Sequence, residues 1–466
     1  MSKVLIISGD IISSSMGGVG VRYWELARAL TKSNEVTLAC PQGTDLHSDL
    51  VQLVSYDLEN GDISPYASQS DVIVLHGFVL HFHPYLRELD IPMAVDLYVP
   101  SLLESLVWHD KDDQNNWKSA YEEYLRVQIE LIRAGDFFFC ASERQRGYWL
   151  GWLHALKRIN PHTYQADPTL MKLIDIVPFG LPEGKPGSTS PVLKGILPGI
   201  DQDDKLILWS GGLWDWLDPL TLIRAVGELT TQRPTLKLYF MGTHHPNPLV
   251  TGMTMPEKAI NLSQELGLYN TSIFFGDWVN YEQRVNYLTE ADLGVISHPN
   301  HIETHFSFRT RVLDCIWAAV PLIITEGDAM AGWVENENLG LTVPPGDVAV
   351  MAAAIDKMLF TGTDSYLPQA FDRLREELSW ERVVEPLSDY CNNPYQAPDK
   401  GLYLTEVERI GRDKDAFLEQ VIRDKDAFLE QVIHEKDAER EAALEYYRSF
   451  FPFRVYRWTK RRLGRK

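Results

Sequence analysis

Short apolar runs and longer amphipathic stretches alternate along the first part of the chain. The apolar runs predict buried parallel strands at residues 4–8, 36–39, 71–75, 93–97 and 137–140, with a last short one near 175–178. Amphipathic stretches between them, such as 19–32 and 117–134, predict helices. Strands that alternate with helices indicate βαβ units and a doubly wound sheet.

The same pattern restarts after a segment rich in Gly, Pro and Ser at 179–191, which predicts a linker. Further strands are expected at 206–210, 236–241, 272–275, 293–297 and 322–325, with helices at 219–229, 257–266, 282–289 and 312–319. We therefore predict two Rossmann-like α/β domains, 1–190 and 191–376, followed by a closing helix and linker at 377–400. Ligands of such sheets bind at the carboxyl ends of the strands, so two facing domains would form a binding cleft.

A different pattern occupies residues 401–447. The sequence RDKDAFLEQVI occurs at 412–422 and again at 423–433, and a weaker copy starts at His434. An 11-residue repeat corresponds to about 3.67 residues per turn and predicts a long helix with an almost straight apolar stripe. This stripe needs a partner, which predicts a coiled-coil homo-oligomer through 412–444 or packing against the rest of the same chain.

Charge is distributed unevenly: the formal net charge is −21, but residues 448–466 contain eight basic residues and no acid. The negative total argues against general nucleic-acid binding. Aromatic residues interleaved with basic ones at 450–466 predict contact with an anionic membrane surface; packing on the acidic body and RNA binding are alternatives. Four scattered cysteines and the lack of an apolar run of membrane-spanning length favour the cytoplasm, peripheral at the inner face of the membrane.

The segment 303–328, ETHFSFRTRVLDCIWAAVPLIITEGD, contains the strongest chemical signal. A loop with Ser307, Phe308, Arg309 and Arg311 precedes an apolar helix, and a helix N-terminus beside arginines is suited to an anion such as phosphate. The acids Glu303 and Asp314 suit sugar hydroxyls, which donate hydrogen bonds to carboxylates. Phosphate and hydroxyl recognition together indicate a nucleotide sugar.

Two features of the first domain are compatible with the same ligand. Glycines from Gly17 to Gly20 open the first helix, so Gly18 and Gly20 allow close backbone approach and Arg22 could reach an anion. A simple helix-opening turn is the alternative. Asp96 ends a predicted strand and would face the cleft, as a hydroxyl ligand or base or as an ordinary helix-capping residue.

The second domain begins with a similar strand and glycine loop. Gly211 and Gly212 can expose backbone N–H groups to phosphate; an ordinary tight turn is the alternative. Trp278 follows a later strand and could stack on a nucleotide base, with plain core packing as the alternative. The histidines near Glu303 lack the ligand spacing of a zinc site, so no metal is expected.

These segments together resemble glycosyltransferase family 4, whose members have the GT-B fold and transfer sugars from nucleotide donors with retention at the anomeric carbon. The resemblance covers about residues 3–390. It rests on GGVGVRYWELARAL (17–30), ASERQRGYWLG (141–151), VPFGLP (177–182), WSGGLWDWLDPLTLIRA (209–225) and the segment 303–328.

This resemblance implies that the first domain holds the acceptor and the second domain the donor. It places Asp314 at the family's ribose-binding acid and Glu303 at the acid that binds sugar hydroxyls, although ten residues separate them here instead of seven. The family's Gly-Arg and downstream Lys are missing after 206–210, so Arg309 or Arg311, together with Arg22, would neutralise the diphosphate without a metal ion. Asp96 stands where many members have His.

The expected function is that of a retaining glycosyltransferase that moves a sugar from a nucleotide-diphosphate sugar, its co-substrate, to a cell-surface polysaccharide or lipid-linked acceptor. No further cofactor is expected. Two alternatives are a GT-B nucleotide-sugar epimerase and a catalytically degenerate scaffold that recruits partners through its coiled coil.

Overall fold

The computed structural model describes residues 1–108, 114–244, 253–362 and 366–400, and in addition Lys425, Lys436 and 438–442. The chain divides into two compact units, Met1–Asp399 and Lys400–Lys466. Only the first unit is described below. Apart from the few positions named, the coiled coil predicted at 401–447, its oligomer contact at 412–444 and the membrane contact at 450–466 fall outside the described residues and stay predictions.

The first unit contains two parallel sheets. The N-terminal sheet has the strand order β3-β2-β1-β4-β5-β6-β7, with strands β1 Lys3–Ile7, β2 Glu35–Pro41, β3 Val51–Tyr56, β4 Val72–Leu75, β5 Met93–Asp96, β6 Phe137–Cys140 and β7 Ile174–Ile176. Every residue of β4, β5 and β6 is buried, as expected for strands covered by helices on both faces.

Helices cover both faces of this sheet and belong to two hydrophobic clusters, one on each side. They are α1 Gly18–Leu30, α2 Ser64–Ala67, α3 Val79–Phe82, α4 Ser101–Trp108, α5 Gln114–Ala134, α6 Glu143–Ala155 and α7 Pro161–Ala166, with a 3₁₀ turn at Pro84–Arg87.

The second sheet repeats this arrangement with the order β10-β9-β8-β11-β12-β13. Its strands are β8 Lys205–Ser210, β9 Leu236–Met241, β10 Ile273–Gly276, β11 Leu293–Ile296, β12 Leu322–Thr325 and β13 Gly340–Val343. The helices are α8 Pro219–Thr230, α9 Met255–Glu265, α10 Arg284–Leu288, α11 Ile302–Phe306, α12 Thr310–Ala318, α13 Ala331–Asn336 and α14 Val348–Asp356, with a 3₁₀ turn at Tyr281–Gln283 and a π turn at Lys357–Thr361.

The last helices return the chain to the N-terminal domain. They are α15 Pro368–Glu377, α16 Trp380–Val383 and α17 Glu385–Asn392. Tyr390 stacks on Phe137 with ring centroids 4.7 Å apart, and Asp399 forms a buried ion pair of 2.9 Å with Arg158. This segment therefore ties the end of the second domain to the first.

The predicted fold class, two doubly wound α/β domains facing a cleft, is confirmed, and so is every predicted strand. The sequence pattern missed two strands, β3 and β13. Both are edge strands; β3 mixes buried and exposed positions, and β13 has mostly half-buried ones. The proposed domain boundaries stay predictions.

The topology brings two switch points together. In each sheet the chain changes direction at the first strand, because β1 lies between β2 and β4 and β8 lies between β9 and β11. The domains meet there: Tyr98 Oη donates to the Phe308 carbonyl at 3.1 Å, and the Tyr281 N–H donates to the Ser14 carbonyl at 2.9 Å. Crevices at such switch points are the usual ligand sites of open α/β sheets.

Candidate functional site

Two adjoining cavities lie between the domains. The first, called here the central gap, has a volume of about 310 Å³ and is lined by Gly17, Gly18, Glu104, Trp214, Arg309 and Arg311, among others. The second, the side cavity, has a volume of about 210 Å³ and is lined by Gly18, Gly211, Trp278, Arg284, Arg311 and Asp314, among others. The two share Gly17, Gly18, Trp214, Thr310 and Arg311 as lining residues and therefore adjoin each other.

The glycine turn supplies a helix N-terminus to both cavities. Helix α1 has Gly17 as its N-cap, without a side-chain cap or an acid in its first turn, so its first N–H groups lack intrahelical partners. A side chain at Gly18 would meet no atom within 4 Å, whereas a Cβ at Gly20 would lie 2.5 Å from the Ile11 carbonyl. Gly18 thus faces the ligand space, and Gly20 is required for packing.

Arg311 is the basic residue that both cavities share. Its Nη2 donates to the Gly212 carbonyl, and its guanidinium carbon lies 4.9 Å from the Trp209 ring centroid. Nη1 is buried and has no hydrogen-bond partner among the described residues. Burial, and next the charge of Arg309, lower the pKa of Arg311 to about 9, so the side chain is still a cation at neutral pH. An unpaired buried N–H beside a cavity is suited to an anion.

Arg309 is held by two buried acids. Its Nη2 donates to Glu303 at 2.8 Å, and its Nε donates to Asp328 at 3.3 Å. Burial lowers the pKa of Arg309, but these carboxylates outweigh burial and raise it above its ordinary value. Ser307 Oγ also donates to Glu303. Ser307, Phe308 and Arg309 line the central gap. Glu303 is completely buried and fixes Ser307 and Arg309 through these hydrogen bonds.

Asp314 lies at the other end of the ligand space, in the side cavity with Trp278, Gly211 and Gly212. Arg284 Nε donates to its carboxylate at 3.2 Å. Burial raises the pKa of Asp314, and the Arg284 charge opposes this shift. An acid that remains a quarter exposed beside a cation can accept hydrogen bonds from ligand hydroxyls.

Arg22 and Asp96 lie elsewhere, in a third cavity of about 480 Å³ within the N-terminal domain, called here the chamber. Its lining includes Tyr23, Phe78, Glu104, Tyr124, Gln128 and Leu131. All three guanidinium nitrogens of Arg22 donate to Asp96 or to the carbonyls of Val177 and Pro178. The structure therefore brings Arg309, Arg311 and Asp314 together along the cleft but does not bring Arg22 to them.

Sequence reasoning did not single out several residues of the central gap. Trp214 and Trp216 stack with centroids 5.2 Å apart and line it. Glu104 lines both the gap and the chamber. Burial, and next the charge of Glu303, raise the pKa of Glu104 to about 8. The available signal was a single acid within the apolar stretch 101–108, which periodicity alone assigns to a helix surface.

In the part of the chain that the structure describes, no group of three or more His, Cys, Asp or Glu side chains is arranged to hold a metal ion. Over the same residues, no helix combines the length and the apolarity that crossing a bilayer requires.

Comparison with known proteins connects this geometry to a family. Residues 204–360 match the model of the family "Glycosyl transferases group 1". A curated relative, D-inositol 3-phosphate glycosyltransferase of Saccharomonospora viridis, is 24% identical over 206 residues, or 44% of this chain. The alignment spans 46% of that relative, a little under half of its length.

Solved structures are similar over most of the chain. Sucrose-phosphate synthase from Thermosynechococcus elongatus has a TM-score of 0.55 at 16% identity and covers 89% of this chain and 100% of its own. Anabaena HepE in complex with UDP has a TM-score of 0.54 at 11% identity, covering 84% and 99%. At these identities the similarity establishes the fold.

The family match lies on the second domain, which supplies Arg309, Arg311 and Asp314, and the structural matches extend over both domains. The resemblance to glycosyltransferase family 4 inferred from the sequence is therefore confirmed at this level: the second domain matches the group 1 glycosyltransferases, and the chain has the GT-B fold.

Proposed function

We propose that this chain is a retaining glycosyltransferase that takes a nucleotide-diphosphate sugar as donor and transfers the sugar to a glycan or lipid-linked acceptor. The observation that carries the proposal is the buried, unpaired Nη1 of Arg311, which borders the space between two helix N-termini. One is that of α1, and the other is that of α12, which begins at Thr310. A diphosphate would supply the missing acceptor oxygens.

The ligand would extend along the adjoining cavities. The diphosphate lies at Arg311 and Gly18, the nucleoside lies in the side cavity, and the sugar lies in the central gap. Trp278 would contact the base, and the Asp314 carboxylate would accept hydrogen bonds from the ribose. Complexes of fold neighbours with UDP and with UDP-2-fluoro glucose support this type of donor.

Bond cleavage leaves negative charge on the departing diphosphate. Arg311 and the N–H groups of α1 and α12 are in place before the reaction and would stabilise that charge, which is how preorganised donors accelerate such steps. Arg309 lines the gap but is paired with two acids, so its net contribution to an anion is smaller. The departing phosphate would accept the proton of the acceptor hydroxyl, and retention follows when that hydroxyl attacks from the leaving-group face.

The part of the acceptor remote from the reaction would lie in the chamber, because Glu104 and Tyr98 border both the chamber and the central gap. Cell-surface polysaccharide or a lipid-linked glycan is the proposed acceptor, in the cytoplasm at the inner face of the membrane. The helix predicted from the sequence at 412–444 would bring copies together, and residues 450–466 would contact anionic lipid.

The test begins with nucleotide binding, in which UDP and GDP are titrated and tryptophan fluorescence and the melting temperature are followed. A screen of nucleotide sugars for slow donor hydrolysis comes next, since hydrolysis requires no known acceptor. Binding and hydrolysis in the wild type, both weakened in Arg311→Gln, support the proposal. Absence of any nucleotide response contradicts it and favours a non-catalytic scaffold. Conversion of the donor sugar without hydrolysis or transfer would instead identify an epimerase.

A further inference from the structure

We infer that the chamber binds the acceptor through an uncharged apolar group, an aryl or short alkyl substituent attached to a sugar, rather than through a phosphorylated sugar. This inference rests on the proposed glycosyl transfer and specifies its acceptor class. It rests on the residues that line the chamber. These are aromatic and aliphatic side chains, an arginine that is paired with an acid, and two buried polar groups without hydrogen-bond partners among the described residues.

The walls are mainly apolar. Phe78, Tyr124, Val127 and Leu131 line a volume of about 480 Å³, and Phe78 and Tyr124 meet edge to face with centroids 5.2 Å apart. Enclosed pockets of this size that are lined by aromatic and aliphatic side chains typically bury most of the surface of a small ligand. An apolar substituent would gain free energy there by leaving water.

The chamber floor offers no free cation among the described residues that line it. Its one arginine, Arg22, is paired with Asp96 at 2.6 Å. Burial lowers the pKa of His76 to about 3, so His76 is neutral, and its Nε2 accepts the Gly9 N–H at 3.0 Å. Glu59 and Glu104 also line the chamber. A phosphoryl group would therefore lose its hydration and meet carboxyl groups without a compensating charge.

Two buried polar groups point to an oxygen on the occupant. Tyr23 Oη and Gln128 Nε2 are buried, and neither has a hydrogen-bond partner among the described residues. Both residues line the chamber and are 1% and 3% exposed, respectively. Unpaired buried donors are costly in a folded protein. A ligand that carries an ether, hydroxyl or nitro oxygen at this depth would accept their hydrogen bonds.

The chamber adjoins the central gap. Glu104 and Tyr98 border the chamber and the central gap, where Arg311 and the proposed donor sugar lie. An acceptor anchored by its apolar group at Gln128 would thus present its sugar hydroxyls to the gap. The apolar group sets the affinity, and the hydroxyl near Glu104 takes part in transfer.

The experiment compares binding of matched probes by isothermal titration calorimetry. 4-Nitrophenyl and octyl glycosides of glucose, galactose and mannose are measured against the methyl glycosides of the same sugars and against glucose 6-phosphate. We expect an aryl or alkyl glycoside to bind at least tenfold more tightly than its methyl counterpart, and glucose 6-phosphate to bind no better than methyl glucoside. Equal binding, including no binding by any probe, overturns the inference, and so does preferential binding of the phosphate.

Variants on one helix locate the site. Leu131→Trp fills the chamber and should abolish the preference, whereas Arg126→Trp, on the exposed side of α5, should keep it. Gln128→Met preserves side-chain length and removes the unpaired donor, so it should weaken binding of 4-nitrophenyl glycosides several-fold without lowering the melting temperature. Persistence of the preference in Leu131→Trp, or unchanged affinity of Gln128→Met for 4-nitrophenyl glycosides, overturns the inference. Should Leu131→Trp fail to fold, the affinity of Gln128→Met for 4-nitrophenyl glycosides decides.

Nucleotide titration of the same proteins separates the two proposals. UDP or GDP should bind the wild type and Leu131→Trp equally, because the chamber lies outside the donor cavities. If no nucleotide binds the wild type, the proposed function itself is wrong. If a nucleotide binds but no aryl or alkyl preference is seen, only the inference about the acceptor class is wrong.

Discussion

Arg22 and Asp96 form a buried two-point ion pair in which Nε donates to Oδ2 at 2.6 Å and Nη2 donates to Oδ1 at 3.2 Å. The arginine is completely buried, and its remaining donors contact the carbonyls of Val177 and Pro178. The pair joins α1 to the ends of β5 and β7. It therefore supports the N-terminal half of the cleft instead of presenting a free cation to the donor.

Removal of either partner leaves a buried charge without compensation. We predict that Arg22→Met lowers the free energy of unfolding by about 3–5 kcal/mol, the cost of breaking a buried pair. The double variant Arg22→Met/Asp96→Asn should lose less than the sum of its single variants, because it leaves no unpaired charge. Urea denaturation measures all three variants. Lys32→Met, an exposed position near the end of the same helix, should leave stability nearly unchanged; a similar loss there would contradict this explanation.

Substitution by glutamine should affect mainly nucleotide affinity at Arg311 and mainly stability at Arg309. Arg311→Gln should weaken UDP or GDP binding by about 10- to 100-fold, since hydrogen bonds to charged groups contribute about 1.5–3 kcal/mol. Its stability should fall less than that of Arg309→Gln, because Arg311 loses one hydrogen bond, from Nη2 to the Gly212 carbonyl, and its Nη1 has no partner to lose. Arg309→Gln removes the guanidinium partner that Glu303 and Asp328 share and should cost about 3–5 kcal/mol of stability.

Calorimetric nucleotide titration and chemical denaturation of both variants provide the comparison. The result that contradicts this assignment is an Arg311→Gln protein with wild-type nucleotide affinity, or one that is less stable than Arg309→Gln.

Asp314 and Arg311 should recognise different parts of the donor. We predict that Asp314→Asn lowers affinity for UDP or GDP about tenfold while leaving affinity for inorganic pyrophosphate unchanged, because the carboxylate accepts ribose hydroxyl protons and does not contact phosphate. Arg311→Gln should weaken both ligands. Competition titrations with pyrophosphate against a nucleotide measure the difference. If Asp314→Asn weakens both ligands to the same degree, Asp314 acts only as the counter-ion of Arg284.

The sequence was sufficient for the fold because each buried strand is a short, continuous apolar run, and such runs alternate with amphipathic helices. It also located the segment 303–314, whose arginines and acids are close in sequence. Pairing could not be inferred in the same way: whether Arg22 is free or bound to Asp96 depends on a contact between residues 74 positions apart. The roles of Glu104 and Gln128 likewise appear only when α4 and α5 pack over the same cavity.

The sequence also could not distinguish which glycines face a ligand. Gly18 and Gly20 belong to one motif and have identical side chains, yet a Cβ would fit at Gly18 and would collide with the Ile11 carbonyl at Gly20. The difference arises from how closely the loop after β1 approaches the helix, which is a property of the folded chain. The motif alone therefore does not indicate which of its glycines faces a ligand.

Glu104 should give the folded protein a characteristic pH dependence. Its folded pKa of about 8, raised first by burial and then by Glu303 and opposed by Arg309, lies above the ordinary value of about 4.3. Between these two values the unfolded chain has released the proton while the folded chain retains it, so stability falls as pH rises across this window. The tyrosine hydroxyls of Tyr98 and Tyr124, which interact with the same carboxyl, stay protonated throughout it.

Glu104→Gln should remove the part of the pH dependence of stability that comes from this carboxyl. The variant should therefore lose less stability than the wild type between pH 5 and 8 and be the more stable of the two at pH 8. Melting temperatures across that range, measured in constant ionic strength, test the expectation. Asp71→Asn provides a control, since its carboxylate accepts the Lys3 N–H at an exposed site and lies away from the cleft. A Glu104→Gln profile parallel to that of the wild type would show that the carboxyl is ionised in the folded protein.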